Sequence, residues 1–298
     1  MDADSVSADS VFADSVSADS VSADANMFAM AYASGLDHLI CMASSGEGDY
    51  PIRFMVRHAA PGAQGGFRRL RCPAFDTRRT PPGSSLACAR QQDVEPIVLV
   101  QDMEEGCVHA LAWMASELRH TGYMVSPGTL GKVGTVAANG MQGAVLEWGK
   151  APMFHQVHLY LLDESTGVWH AQRVLDGGLA FPQALAFSVD GRRVAVSNDA
   201  SWQLLDFDLV DREAAPIEHP LKPGKLASCA CGVGPDTWIV GYTHSARLCV
   251  TPKRDSVRLQ RVSMATVHEA RSVVVVFVHS AVWVLDGSGC VRALNLHD

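Results

Sequence analysis

Long apolar runs are missing from this 298-residue chain. The longest, residues 273–285, is broken by His279 and Ser280 and falls short of the roughly 20 residues that a membrane-spanning helix needs. Its richness in valine points instead to two adjacent strands of a buried sheet. A secretory leader is not expected either, because the N-terminus carries neither a basic stretch nor a continuous apolar one. The eight cysteines include no Cys-x-x-Cys pair. Cys229 and Cys231 share one side of a strand but lack a second pair or a histidine spacing to complete a zinc site. Reduced, buried thiols in a cytoplasmic or nuclear protein are the expectation.

Signatures of catalysis are lacking as well. No Gly-x-Ser-x-Gly elbow occurs. The glycine-rich stretch 125–140 has neither the Gly-x4-Gly-Lys-Ser/Thr order of a phosphate loop nor its strand-to-helix setting. His155 and His158, three residues apart on a strand, face opposite ways. His109, His170, His244, His268 and His279 are scattered along the chain, and hold a metal only if inner strands bring several of them into one channel. No metal, cofactor or catalytic residue is predicted.

Basic residues are absent from residues 1–26, which hold six aspartates. Units of Ala-Asp-Ser-Val begin at Ala3, Ala8, Ala13 and Ala18, with a decayed copy at Ala23. Such a segment has too little apolar mass to offset chain entropy, so 1–26 is expected to be a disordered acidic tail. A pentapeptide β-helix would need bulky apolar residues where Ser5, Ser10, Ser15 and Ser20 stand. The sign then reverses: residues 51–90 carry eight arginines against one acid, Asp76.

What the chain does have is a rhythm of short strands. MFAMAYAS, HLICMASS and PIRFMVRHA read as three strands of a first unit, with turns at Gly35 and at Gly46 to Gly48. Residues 59–95 show no sustained periodicity and are expected to be a basic loop insertion. PIVLVQDM and VHALAWM open a second unit that continues into FHQVHLYLLD and VWHAQRVL. A glycine-rich insertion near 115–150 either splits that unit or hides another. Further units start at Gln183, Lys225 and Met264, with sharp turns at VDGR, GPDT and GSG. Strands close on Leu162-Asp163, Leu205-Asp206 and Leu285-Asp286; the steps between these aspartates are 43 and 80 residues, about one and two periods. A repeat near forty residues implies stacked four-stranded units.

The segment ALAFSVDGRRVAVSNDASWQLLDFDL (residues 184–209) resembles a blade of a WD40-type β-propeller, whose third strands end in Trp-Asp. Leu205-Asp206 takes the Trp-Asp place, and Ser197 and Asp199 match polar positions that in the family pin the blade by hydrogen bonds. No Gly-His pair opens a blade and no Leu-Asp step carries the tryptophan, so the family's full network is not expected. The turn phrase FSVDGRRVAV also occurs in lactonase-like and quinoprotein propellers, and a β-sandwich or barrel has comparable strand spacing. The expected fold is all-β: a propeller domain over 27–298 with about five recognisable four-stranded blades, possible room for six or seven, and Asp163, Ser197, Asp199, Asp206 and Asp286 as structural blade positions.

The resemblance implies a non-enzymatic scaffold that binds another protein or a multiprotein complex through its loop faces. The basic segment FRRLRCPAFDTRR supplies the expected contact residues: Arg68, Arg69, Arg71, Arg78 and Arg79, with Phe67 and Phe75. Arginines that pair with phosphates beside rings that stack on bases also suit nucleic acid. The alternative class is a propeller hydrolase or oxidoreductase, which requires histidines and carboxylates converging in the central channel.

Overall fold

A computed structural model describes residues 26–44, 52–63, 66–75, 85–89, 95–149, 155–242, 247–250, 260–263, 270–279 and 281–295. The expected tail, apart from Asn26, lies outside them. Strands dominate. Blade one contains β1 (Asn26–Ala33), β2 (His38–Ser44), β3 (Arg53–His58) and β4 (Arg68–Leu70). Blade two contains β5 (Leu86–Ala89), β6 (Ile97–Asp102), β7 (Cys107–Met114) and β8 (Glu117–Val125). Blade three contains β9 (Lys132–Asn139), β10 (Gln142–Trp148), β11 (His155–Asp163) and β12 (Val168–Leu179). Blade four contains β13 (Leu185–Phe187), β14 (Arg193–Asn198), β15 (Gln203–Asp208) and β16 (Ile217–Pro220). Blade five contains β17 (Ala227–Gly232), β18 (Trp238–Tyr242), β19 (Arg247–Val250) and β20 (Gln260–Ser263). Blade six contains β21 (Ala270–Val276), β22 (Ala281–Asp286) and β23 (Val291–Asn295).

The first strands form the ring. Each of β1, β5, β9, β13 and β17 touches the first strand of the next blade, and β21 returns to β1. Second strands are buried on both faces because blades stack face to face: β6, β18 and β22 are buried along their whole length. Alternation divides each strand between its two neighbours. In β6, Val98 and Val100 pack toward blade one, whereas Ile97 and Leu99 pack toward blade three. Six apolar clusters fill the six junctions, the last joining Met27, Met30 and Leu39 of blade one to Trp283, Leu285 and Val291 of blade six. The apolar run 273–285 is indeed two neighbouring strands, β21 and β22. Among the described residues no helix is long and apolar enough to cross a membrane.

Two segments expected as insertions are blade material. Residues 59–95 hold β4 and β5, which are three and four residues long and so show no readable alternation. The stretch near 115–150 holds β8, β9 and β10, so it hides the boundary between blades two and three. The Leu-Asp rhythm also mixes positions. Asp163 and Asp206 belong to third strands, β11 and β15, while Asp286 ends a second strand, β22.

Candidate functional site

The central channel is lined by the first strands and has a volume of about 770 Å³. Small residues dominate its wall, among them Ala29, Ala31, Ala87, Ala137, Ser228 and Ser272, with Val273 and Val275. The first strands contain no histidine, aspartate or glutamate. The convergent acid and base groups required by a channel enzyme are therefore not provided by the strands that line it. The glycine-rich stretch 125–140 is a strand, a turn and a strand rather than a loop opening a helix.

The basic segment divides in two. Arg68 and Arg69 project from β4 and are exposed, as is Arg71 just beyond it. The backbone of Arg71 continues the outer edge of blade one onto blade two: its N–H donates to Ser116 O at 3.2 Å and its carbonyl accepts from Leu118 N at 2.7 Å. Phe67 is partly exposed beside the Arg57 guanidinium, 5.8 Å from its ring centre. Phe75 is fully buried, edge-on to Phe54 at 5.7 Å and to His109 at 5.1 Å, so its faces are spent in the core between blades one and two. Arg78 and Arg79 lie outside the described residues.

The blade positions make local or inter-blade bonds. Ser197 Oγ accepts the N–H groups of Gln183 (2.9 Å) and Ala184 (3.1 Å), fixing the entry into β13. Asp199 is buried and accepts the N–H of Ala227 in blade five at 3.2 Å. Burial pushes its carboxyl up to about 6, although that backbone bond pulls the other way. Asp206 is fully buried and takes Arg193 Nε at 2.8 Å, His219 Nε2 at 3.2 Å and Trp238 Nε1 at 3.3 Å. Trp238 belongs to the next blade, so Asp206 joins two blades. Asp163 and Asp286 cap turns: Asp163 accepts the Ser165 N–H at 2.9 Å, and Asp286 accepts those of Ser288 (2.9 Å) and Cys290 (3.1 Å).

Two clusters carry ligand-type side chains, of which sequence inspection singled out only His109 and His279. One joins blades six and one: Asp37 Oδ2 lies 2.6 Å from His279 Nε2 and 3.4 Å from His58 Nε2, while Tyr32 donates its hydroxyl to Asp37 Oδ1 at 3.0 Å. Burial raises the Asp37 carboxyl, but the bonds from His279 and Tyr32 outweigh it and hold the group below the usual carboxylate range. The other cluster, Asp102, Glu105, Cys107 and His109, sits on the β6–β7 hairpin. Its sequence signal is an alternation: Cys107 and His109 are two apart on one strand, and Asp102 pairs with Cys107 across the hairpin.

No family model matches the sequence, and no curated protein matches it. Solved structures do match the fold. One is a chain of the crystal structure of the mitotic checkpoint complex, with a TM-score of 0.59 and 10% identity over 93% of this chain and 80% of the other. Another is Sqt1 of Chaetomium thermophilum, solved bound to the N-terminus of the ribosomal protein L10, with a TM-score of 0.52 and 12% identity over 92% of this chain and 76% of the other. With identities this low the likeness is one of fold, and in fold the chain is a β-propeller.

Proposed function

We propose that the protein is a non-enzymatic interaction scaffold that binds another protein through the loop-bearing rim of the propeller, with the Arg68, Arg69 and Arg71 strip as a principal contact. One observation carries the reading: these three arginines lie exposed along the outer edge of blade one, where it is stitched to blade two. Alternation turns Arg68 to one side of the outer strand and Arg69 to the other, so this edge carries positive charge on both sides, which suits an acidic peptide or an acidic protein face. The channel wall of alanine, serine and valine supports a non-catalytic role. The solved complex of Sqt1 with the N-terminus of L10 is a precedent for a propeller of this fold holding a peptide segment. Stacking on nucleic-acid bases is disfavoured by the burial of Phe75. A reducing compartment, cytoplasm or nucleus, fits the same reading.

Deleting 59–95 would remove β4 and β5 and is not a usable test. The experiment is charge reversal at Arg68, Arg69 and Arg71 together, followed by affinity capture and crosslinking in cells. Loss of the captured proteins, with the circular dichroism spectrum kept, is the expected result. Unchanged recovery removes the strip from the interface. Recovery of RNA in place of protein, weakened steeply by salt, refutes the protein-scaffold reading.

A further inference from the structure

The β6–β7 hairpin brings four different donors to one place within eight residues. Asp102 ends β6, Cys107 begins β7 opposite it, and His109 follows two residues later on the same face. Glu105 folds over from the turn. The ligand atoms of all four lie within 4.8 Å of one another, and three of the four side chains are buried. We propose that this hairpin is a site for a borderline divalent transition metal of the zinc class, held by Asp102, Glu105, Cys107 and His109.

Distances favour a tetrahedral ion. Zinc bonds of about 2.0–2.3 Å place neighbouring nitrogen, oxygen and sulfur ligands about 3.3–3.6 Å apart. His109 Nε2 lies 3.2 Å from Asp102 Oδ2 and 3.6 Å from Cys107 Sγ. Cys107 Sγ is 3.9 Å from Glu105 Oε2, a gap that a small rotation of the exposed Glu105 closes.

The surroundings orient the ligands as metal sites require. Asp102 Oδ1 accepts the N–H groups of Glu104 and Glu105, each at 3.0 Å, which leaves Oδ2 directed at His109. The far nitrogen of His109, Nδ1, is 3.1 Å from His120 Nε2. A hydrogen on Nδ1 donated to His120 leaves the Nε2 lone pair facing the carboxylate and the sulfur, an arrangement that a cation completes. Gly106 shapes the turn, with a φ of +62° and a position for Cβ only 2.8 Å from Gly131 O. On binding, the Cys107 thiol releases its proton to solvent and the sulfur donates a pair to the metal. Four protein ligands fill the coordination sphere, so the ion pins the hairpin rather than activating a substrate. The Asp37 cluster is the weaker candidate. There the Ala60 N–H donates to His58 Nδ1 at 3.1 Å, which puts the hydrogen of a neutral ring on Nε2, toward Asp37.

Titration of the chelator-treated full chain with Co²⁺ tests the assignment. One equivalent is expected to bind with visible d–d absorption and a thiolate-to-cobalt charge-transfer band, and Zn²⁺ should displace it. Cys107→Ser should abolish the charge-transfer band. Glu105→Gln, at an exposed position, should weaken Zn²⁺ binding about tenfold or more. Absence of the band, its survival in Cys107→Ser, or unaltered affinity in Glu105→Gln each overturns the site.

Discussion

The indole N–H of Trp283 in blade six donates at 2.9 Å to the backbone carbonyl of Ala59, just after β3 of blade one, joining residues 224 positions apart. The Arg57 guanidinium lies 4.9 Å above the same ring, and Ser272 Oγ donates to Met30 O at 2.9 Å across the same junction. Trp283 is fully buried in the apolar cluster that fills the seam. Trp283→Ala should cost about 3–5 kcal/mol and Trp283→Phe clearly less, because a ring still fills most of the space. Denaturant unfolding reads both, and a negligible loss in the alanine variant would contradict the role assigned to this residue.

Asp199 makes stability depend on pH. Its carboxyl is pushed up to about 6 by burial, above its unfolded value, so the folded state binds the extra proton between about pH 4 and pH 6. Stability from this group is therefore present in acid and is lost as pH rises through 6. Asp199→Asn keeps an oxygen for the Ala227 N–H and removes the buried charge. The variant should be more stable than the parent at pH 7.5, by about 2 kcal/mol, with the difference vanishing near pH 4. Melting curves across that range check it, and a variant less stable at pH 7.5 refutes it.

Asp206 holds together Arg193, His219 and Trp238. Asp206→Ala leaves three donors without their acceptor in a buried place and should destabilise by about 3 kcal/mol or more. Arg193 retains Asp208 at 3.1 Å, so the double variant with Arg193→Met should recover part of the loss. Chemical denaturation of the two single variants and the double variant would show this as non-additivity; strict additivity rules it out.

Gly106 and Gly140 both have positive φ, +62° and +59°. A Cβ at Gly106 meets a backbone oxygen at 2.8 Å, whereas one at Gly140 meets nothing within 4 Å. Gly140→Ala should lose about 1 kcal/mol from backbone strain alone, and Gly106→Ala distinctly more. Equal losses in thermal melts would show that the contact with Gly131 relaxes freely.

Legibility in the sequence followed burial. Second strands such as β22, AVWVLD, are buried on both faces and read as apolar runs. The blade starts expected at Gln183 and Lys225 fall two residues before β13 and β17, whereas the one expected at Met264 falls six before β21. The strands RRL and LACA, by contrast, are too short to show a period, and they were hidden among the glycines and prolines around them. Asp286 looked equivalent to Asp206 because both follow a leucine, yet one caps a turn and the other bridges two blades. The Asp102 to His109 cluster depends on pairing across a hairpin, a register that spacing alone does not reveal.

The junction between blades six and one has a kinetic meaning. Five of the six junctions join blades adjacent in sequence, so each can form once two consecutive blades exist. The last needs contacts such as His279 to Asp37 and Ser272 to Met30, each 242 residues apart. Closure entropy grows with the length of chain enclosed, so this junction is the slowest to nucleate and the natural final step of folding. Until it forms, Trp283 and Leu39 remain exposed on opposite ends of an open arc. Substitutions there should lengthen the lifetime of that arc, and with it the window for aggregation, more than equally buried changes elsewhere.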